Sequence, residues 1–260
     1  MASEQLDAEG VFVVRGACAA SLCADLHAEI TAGVQLVLTL PQTMAERLRP
    51  PSCRHILPMA LSAADDVLDD PSHRSSFRFP LSPRAAAVIR ALLSGGAGAA
   101  LLAALGPDAE LSELTTITSL PGAAAQAMHA DGNWSAAQPR IVTAFVALHD
   151  VLDERVGPTR FCPSTHAPRC FADGVWRPPT KERAAERSPT WYELRAGDAV
   201  LMDSTTWHCG GANTSEGSWR TLLSLAFVAP SAGGGPAAAA AAAVDGDSER
   251  RLRLGDLAPA

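Results

Sequence analysis

The stretch GDAVLMDSTTWHCGGANTSEGSWRTLLSLAFVAP, Gly197 to Pro230, holds two apolar runs separated by a segment rich in Gly, Ser, Thr and Asn. That texture belongs to strands joined by turns. Comparable short runs precede it: ELTTITSL, RIVTAFVALHDV, GPTRFCP and TWYELRAGDAVLMD, separated by Gly, Pro and Asp. Together they predict an all-β barrel or sandwich from Leu111 onward, with helices packed outside it.

Upstream the pattern changes. EGVFVVRG (Glu9 to Gly16) reads as a short strand, and AASLCADLHAEITAGVQLVLTL after it places Leu22, Leu26 and Ile30 at helical spacing. PRAAAVIRALL from Pro83 and GAALLAALG from Gly98 predict two further helices before Gly106. One domain is therefore expected over residues 1–230, helical to about residue 110, with a β core over 111–230. Residues 231–260 begin with a Gly/Ala-rich low-complexity run and are expected to be a mobile tail.

At 260 residues and 47% hydrophobic composition the chain can bury one substantial core. Its formal charge is −7, and Lys181 is its only lysine. No basic stripe is available to neutralise a phosphate backbone, so nucleic acid is excluded as a partner. Acidic residues stand where a secretory signal needs a basic region, and no apolar run reaches the roughly 20 residues of a membrane span. The expectation is a cytoplasmic protein with no membrane partner. Six cysteines without a CxxC pair read as reduced thiols.

The chemistry starts at MHADGNW, Met128 to Trp134. On a strand running into a turn, residues two apart share a face, so His129 and Asp131 project together. His208 follows 77 residues after Asp131. Two histidines and one carboxylate on one face of a metal leave the opposite positions open, the facial triad of non-haem iron(II) oxygenases. Arg220, twelve residues after His208, heads the next strand. A guanidinium there can receive the distal carboxylate of 2-oxoglutarate, whose burial unpaired would be costly. Strand alternation puts Ser224 on the face of Arg220.

HADG, GPTRFCPSTH, AGDAVLMDSTTWHCGGANTS and WRTLLSLAF, in this order, resemble the phytanoyl-CoA dioxygenase family of iron(II)/2-oxoglutarate oxygenases, and LDAEGVFVVRG resembles that family's start. The likeness spans roughly residues 5 to 230. It implies a double-stranded β-helix (jelly-roll) core with flanking helices. It also implies iron held by His129, Asp131 and His208, 2-oxoglutarate anchored by Arg220, and Gln126 as a further cosubstrate contact. The implied reaction takes dioxygen, with ascorbate as an assisting reductant, and hydroxylates a small molecule at an unactivated C–H bond, releasing succinate and carbon dioxide. Related halogenases carry a small residue where Asp131 stands, so hydroxylation, or else desaturation or cyclisation, is expected. Without a lysine-rich patch for the phosphates of coenzyme A, the expected substrate is another small molecule.

Blander readings stand beside these. His129 and Asp131 also fit a polar turn, His208 a satisfied loop histidine, and Arg220 a surface strand residue. His166 is left outside the metal set, His149 is read as a strand-end residue, and His27 and His73 as surface groups. Trp134 and Trp207 are candidate walls of the substrate cavity, and Arg54, His55 and Arg160 candidate substrate contacts. Two other functions remain open: a non-catalytic jelly-roll binding protein, and a zinc hydrolase using the same ligands, although zinc sites usually carry more nitrogen donors.

Overall fold

Strand β8 (Arg220–Val228) is buried along its whole length, as expected of a strand covered on both faces. The computed structural model describes residues 2–39, 74–78, 81–135, 138–168, 171–230 and 253–257. The other strands are β1 (Val11–Val14), β2 (Arg74–Arg78), β3 (Glu110–Ser119), β4 (Ile141–Ala147), β5 (Thr159–Cys162), β6 (Ala199–Asp203) and β7 (Trp207–Gly210). Six of them form an antiparallel sheet in the order β1-β6-β4-β8-β3-β2, and β5 pairs with β7 in a second sheet. Isolated bridges extend the second sheet on both sides, His129 to His208 and Phe161 to Thr190.

The alternation of β8 decides what lies on each face of the large sheet. Leu223, Leu225 and Phe227 join the core under the helices, together with Val142, Val146 and Leu201. Leu222 turns the other way, into an inner cluster with Phe145, Val200, Met202 and Phe161 that fills the space between the two sheets. Two antiparallel sheets closed around such an interior are the jelly roll that the sequence predicted.

The outer layer consists of α1 (Ala2–Glu9), α2 (Ala20–Thr39), α3 (Pro83–Leu93) and α4 (Gly96–Leu105). Helix α3 starts where its sequence allows. The Ser82 hydroxyl accepts from the Ala85 N–H at 3.2 Å, and Pro83 occupies the first turn, where its missing donor costs nothing. Its buried residues, Ala85, Val88, Ile89, Leu92 and Leu93, recur at helical spacing and face the sheet. In α2, Leu26 and Ile30 are buried against the same core.

Three features depart from the sequence reading. Strand β2 lies in a stretch where the sequence reading places no strand, and pairs with β3 in the register Arg74 to Ser119. His208 sits on a strand of its own, β7, rather than in a turn after β6. Within the segment read as a tail, Arg253 bridges to Glu110 and Leu254, 1% exposed, joins the core, because its N–H reaches the Ala109 carbonyl at 2.8 Å. Among the described residues no single helix is long and apolar enough to cross a membrane, and Cys18, Cys23 and Cys162 are free thiols.

Leu201, fully buried in the core beneath the helices, tests this packing. Leu201→Ala is expected to destabilise the protein by about 2–5 kcal/mol, read from urea unfolding. A loss below about 1 kcal/mol would show that the helical layer does not depend on this strand.

Candidate active site

The turn after β6 sends the chain back as β7, and β7 carries His208 into the interior, with a side chain only 7% exposed. His129 comes to it through the backbone. Its N–H donates to the His208 carbonyl at 2.9 Å, and the His208 N–H donates back at 2.7 Å. This antiparallel bridge sets the two rings with centroids 4.4 Å apart. Asp131, two residues on, brings its Oδ1 to 3.7 Å from His129 Nε2 and 3.5 Å from His208 Nε2. All three candidate ligand atoms lie within 4.8 Å of one another.

The ring tautomers follow from the partners. His129 Nδ1 lies 2.9 Å from the Ala127 carbonyl, and His208 Nδ1 lies 3.0 Å from the Thr206 carbonyl. A carbonyl only accepts, so each Nδ1 carries the proton and each Nε2 presents a lone pair. Burial, and next the neighbouring His208 ring, push the His129 imidazole below its ordinary titration range, which favours the neutral form. Two imidazole lone pairs and a carboxylate oxygen converging on one point repel each other unless a cation lies between them. The donor set therefore fits a divalent metal of the non-haem iron type, with carbonyl-anchored Nδ1 groups orienting the ligands.

Arg220 lies inside the barrel at 1% exposure. Its Nε donates to the Gly157 carbonyl at 3.1 Å, while Nη1 is buried with no hydrogen-bond partner among the described residues. Burial, with a smaller contribution from Arg74, pushes its pKa down to about 9. Among the described residues this guanidinium has no anion beside it. It opens on a cavity walled by Phe145, Phe161, Tyr192 and Leu222. The Phe145 and Phe161 rings stand 6.5 and 6.4 Å from that of His208, so the same walls reach both ends of the site. The cavity is tight, about 10 Å³, or room for roughly one water; a dicarboxylate seats there only as side chains shift.

The remaining expected residues have varied fates. Ser224 is buried on β8 opposite Phe145 and Thr115 but does not line the Arg220 cavity. The Gln126 side-chain amide is oriented by the backbone, its Oε1 accepting from the Gly210 N–H at 2.8 Å. Trp207 is 1% exposed and packs on Phe171, so it is core. Trp134 is 43% exposed. Arg160 pairs with Glu154. His166 stands outside the three-ligand group, its Nε2 3.1 Å from the Asp7 carbonyl. His27 is not a free surface group, since its ring stacks on His149 at 4.9 Å. Arg54, His55 and His73 lie outside the described residues.

Arg74 is the residue that the sequence reading missed. Buried at 7%, it donates from Nη2 to the Ala124 and Gly211 carbonyls at 2.9 and 2.7 Å, clamping the segment before His129 onto the end of β7. Position 210 must be glycine for this, because a Cβ there would lie 2.0 Å from Arg74 Nη1 and 2.8 Å from Gln126 Oε1. Gly157, which offers its carbonyl to Arg220, has φ +73° and would place a Cβ 2.6 Å from the Gly211 oxygen. Its signal was present in the Gly157-Pro158 pair.

Fold and site thus define a jelly-roll protein with a facial ligand set. A family model for phytanoyl-CoA dioxygenase (PhyH) matches residues 6–222, and the chain belongs to this family of iron(II)- and 2-oxoglutarate-dependent oxygenases. Solved structures share the fold. The non-heme alpha ketoglutarate dependent epimerase SnoN from nogalamycin biosynthesis aligns at TM-score 0.56 and 19% identity, over 88% of this chain and 82% of that one. The carbocyclase SnoK from the same biosynthesis aligns at 0.53 and 18%, over 88% and 83%. HygX from Streptomyces hygroscopicus, solved with nickel, 2-oxoglutarate and hygromycin B, aligns at 0.54 and 14%, over 87% and 86%.

Titration of the buried histidines gives a prediction. Burial lowers His27, and burial together with His27 lowers His149 to about 4. Above the ordinary value of about 6.5 neither the folded nor the unfolded chain protonates these groups, and stability is full. As pH falls from 6.5 toward 4, the unfolded chain takes up protons that the folded chain refuses, so stability is lost. The urea midpoint of the metal-free protein is expected to fall between pH 7 and pH 5. An unchanged midpoint would show these rings to be solvated.

Proposed function

We propose that the protein hydroxylates a polar small molecule at an unactivated C–H bond. His129, Asp131 and His208 hold iron(II), and Arg220 receives the distal carboxylate of 2-oxoglutarate. One observation carries the reading: a converging Nε2, Nε2 and carboxylate set shares aromatic walls with a fully buried guanidinium that lacks an anion. When bound, iron supplies dioxygen activation coupled to oxidation of 2-oxoglutarate to succinate and carbon dioxide, with one oxygen atom passed to the substrate. The chain's own groups bind, orient and exclude water. Phe145, Phe161 and Leu222 line the space between His208 and Arg220 with apolar surface, which lowers the local dielectric and strengthens charge pairing at Arg220. Gln126 and Arg74 brace the backbone that carries the ligands.

Substrate approach is set by graded exposure. The Asp131 side chain is 43% exposed against 7% for His208, so the ligand set opens on its Asp131 side. Gly132, the next residue, borders a cleft of about 390 Å³ that is also lined by Asp7, Asn133, Trp134, Gln138 and Arg140. That volume suits a small molecule. An indole face beside amides and a carboxylate–guanidinium network favours a ring bearing hydrogen-bonding groups. SnoN and HygX, solved with nogalamycin RO and hygromycin B respectively, support a small-molecule substrate. Asp131, in place of a small residue, supports oxygen rather than halogen transfer.

Succinate release with iron, 2-oxoglutarate and ascorbate checks the assignment. Wild type is expected to turn 2-oxoglutarate over, Asp131→Ala to lose iron binding, and Arg220→Ala to bind 2-oxoglutarate at least about 30-fold more weakly, the loss of a bidentate charged contact. Equal succinate from all three refutes the residue roles; metal binding without succinate in wild type favours a non-catalytic binding protein.

Trp134→Ala is expected to raise the KM for the substrate about tenfold or more while leaving uncoupled succinate formation intact, as lost aromatic contact would. An unchanged KM would place the substrate elsewhere.

A further inference from the structure

We propose that His149, backed by His27, is a positioning residue for Arg220. The inference rests on the reading of Arg220 as the cosubstrate's anchor and adds to it how the head of β8 is held. The β4–β8 ladder ends at the pair Ala147 and Leu222. Arg220 and Thr221 lie beyond it, still paired to Ser119 and Thr118 of β3 on one side but without β4 on the other. The side chain of His149 fills that gap. Its Nε2 accepts the Thr221 backbone N–H at 2.9 Å, while its Nδ1 lies 3.0 Å from the Asp150 carbonyl. The Nδ1 proton therefore points at Asp150 and the Nε2 lone pair at the strand.

Geometry shows why a ring is needed here. His149 stacks on His27 of α2 with centroids 4.9 Å apart and planes 28° apart, so the helical layer fixes the imidazole plane and hence the direction of the lone pair. His27, Asp150 and Arg220 are the titratable groups that face His149. Two of these, His27 and Arg220, disfavour charge on it, and burial does so most, which keeps Nε2 an acceptor. One residue further along, Arg220 has Gly157 as the hydrogen-bond acceptor of its Nε. Its direction thus depends on a backbone that a histidine, not a neighbouring strand, completes.

The test compares His149→Phe, which keeps the ring and removes the acceptor, with His149→Gln, whose Oε1 reaches where Nε2 stands. Three readouts apply: amide exchange at Thr221 in the metal-free protein, 2-oxoglutarate affinity of nickel-loaded protein by calorimetry, and nickel affinity alone. In His149→Phe, Thr221 exchange is expected to rise and 2-oxoglutarate affinity to fall, each about tenfold, as for an orphaned buried donor. Nickel affinity should stay within about twofold, since no metal ligand is touched. His149→Gln should restore both, and His27→Leu should give a smaller loss, about threefold, through a freer ring. Wild-type exchange and 2-oxoglutarate affinity in His149→Phe overturn the inference. Should His149→Phe fail to fold, unprotected Thr221 exchange in wild type overturns it. If wild type takes up no 2-oxoglutarate, the reading of Arg220 fails, and Thr221 exchange alone decides whether His149 holds the strand.

Discussion

Two backbone hydrogen bonds between His129 and His208 govern this molecule's site. They join segments far apart in sequence, and they do so at the residues whose side chains must meet. Because an antiparallel pair exchanges both bonds at directly opposed residues, the side chains of that pair emerge on the same face. The rings are then brought together by the sheet, and Asp131 follows from strand periodicity. A slip of one residue would turn the rings to opposite faces. The supports around the bridge resist that slip: Gln126 bonds Gly210 through both backbone and side chain, and Arg74 ties Ala124 to Gly211.

The larger sheet contributes the other half. Its strands carry apolar residues on both faces, so it separates a helical layer from a barrel interior, and Arg220 is the charge admitted to that interior on β8. Burying a guanidinium without an anion is costly, and its lowered pKa expresses that cost. Such an arrangement persists in a folded protein when the surrounding core pins it, as the Gly157 carbonyl and the β3 ladder do here. On the proposed reading, what the core holds unfavourably in isolation would become favourable once a carboxylate enters.

Much of this was legible in the sequence. The runs that became β3, β4 and β8 stood out because β-branched and apolar residues crowd between Gly and Pro, and α3 and α4 stood out as PRAAAVIRALL and GAALLAALG. The set His129, Asp131 and His208, whose candidate ligand atoms lie within 4.8 Å of one another, was readable because metal ligation permits few residue types, and Arg220 stood out as a charge heading an apolar strand. Strand β2 was not readable: RSSFR has a weak pattern, and the carbonyls that Arg74 bonds come from residues 50 and 137 positions away. Gln126 was expected as a cosubstrate contact from the family resemblance alone, and its bond to Gly210, 84 positions away, could not be seen in the sequence. His27 looked like surface because helical spacing places it off the apolar stripe, and its partner His149 follows the end of a strand. Trp134 and Trp207 each stand beside a metal-ligand segment, yet only the strand pairing of Trp207 with Cys162 shows it to be core.

The two buried guanidiniums also shape selectivity. Arg74 and Arg220 are close enough that each disfavours the other's charge, and Arg74 acts on His129 in the same sense. In a low-dielectric interior that shared positive field falls on whatever occupies the space between the ligand histidines and Arg220. A neutral occupant leaves the repulsion in place. On the proposed reading of the site, an occupant with carboxylates at both ends would relieve it, one end beside the metal and the other at Arg220, with the apolar walls of Phe145, Phe161 and Leu222 along its methylene carbons. The narrowness of the cavity adds a second filter, since only a slender chain can follow the path that the side chains must open. On that reading charge and width would select for the same kind of molecule, a short dicarboxylate, before any contact with the second substrate is made.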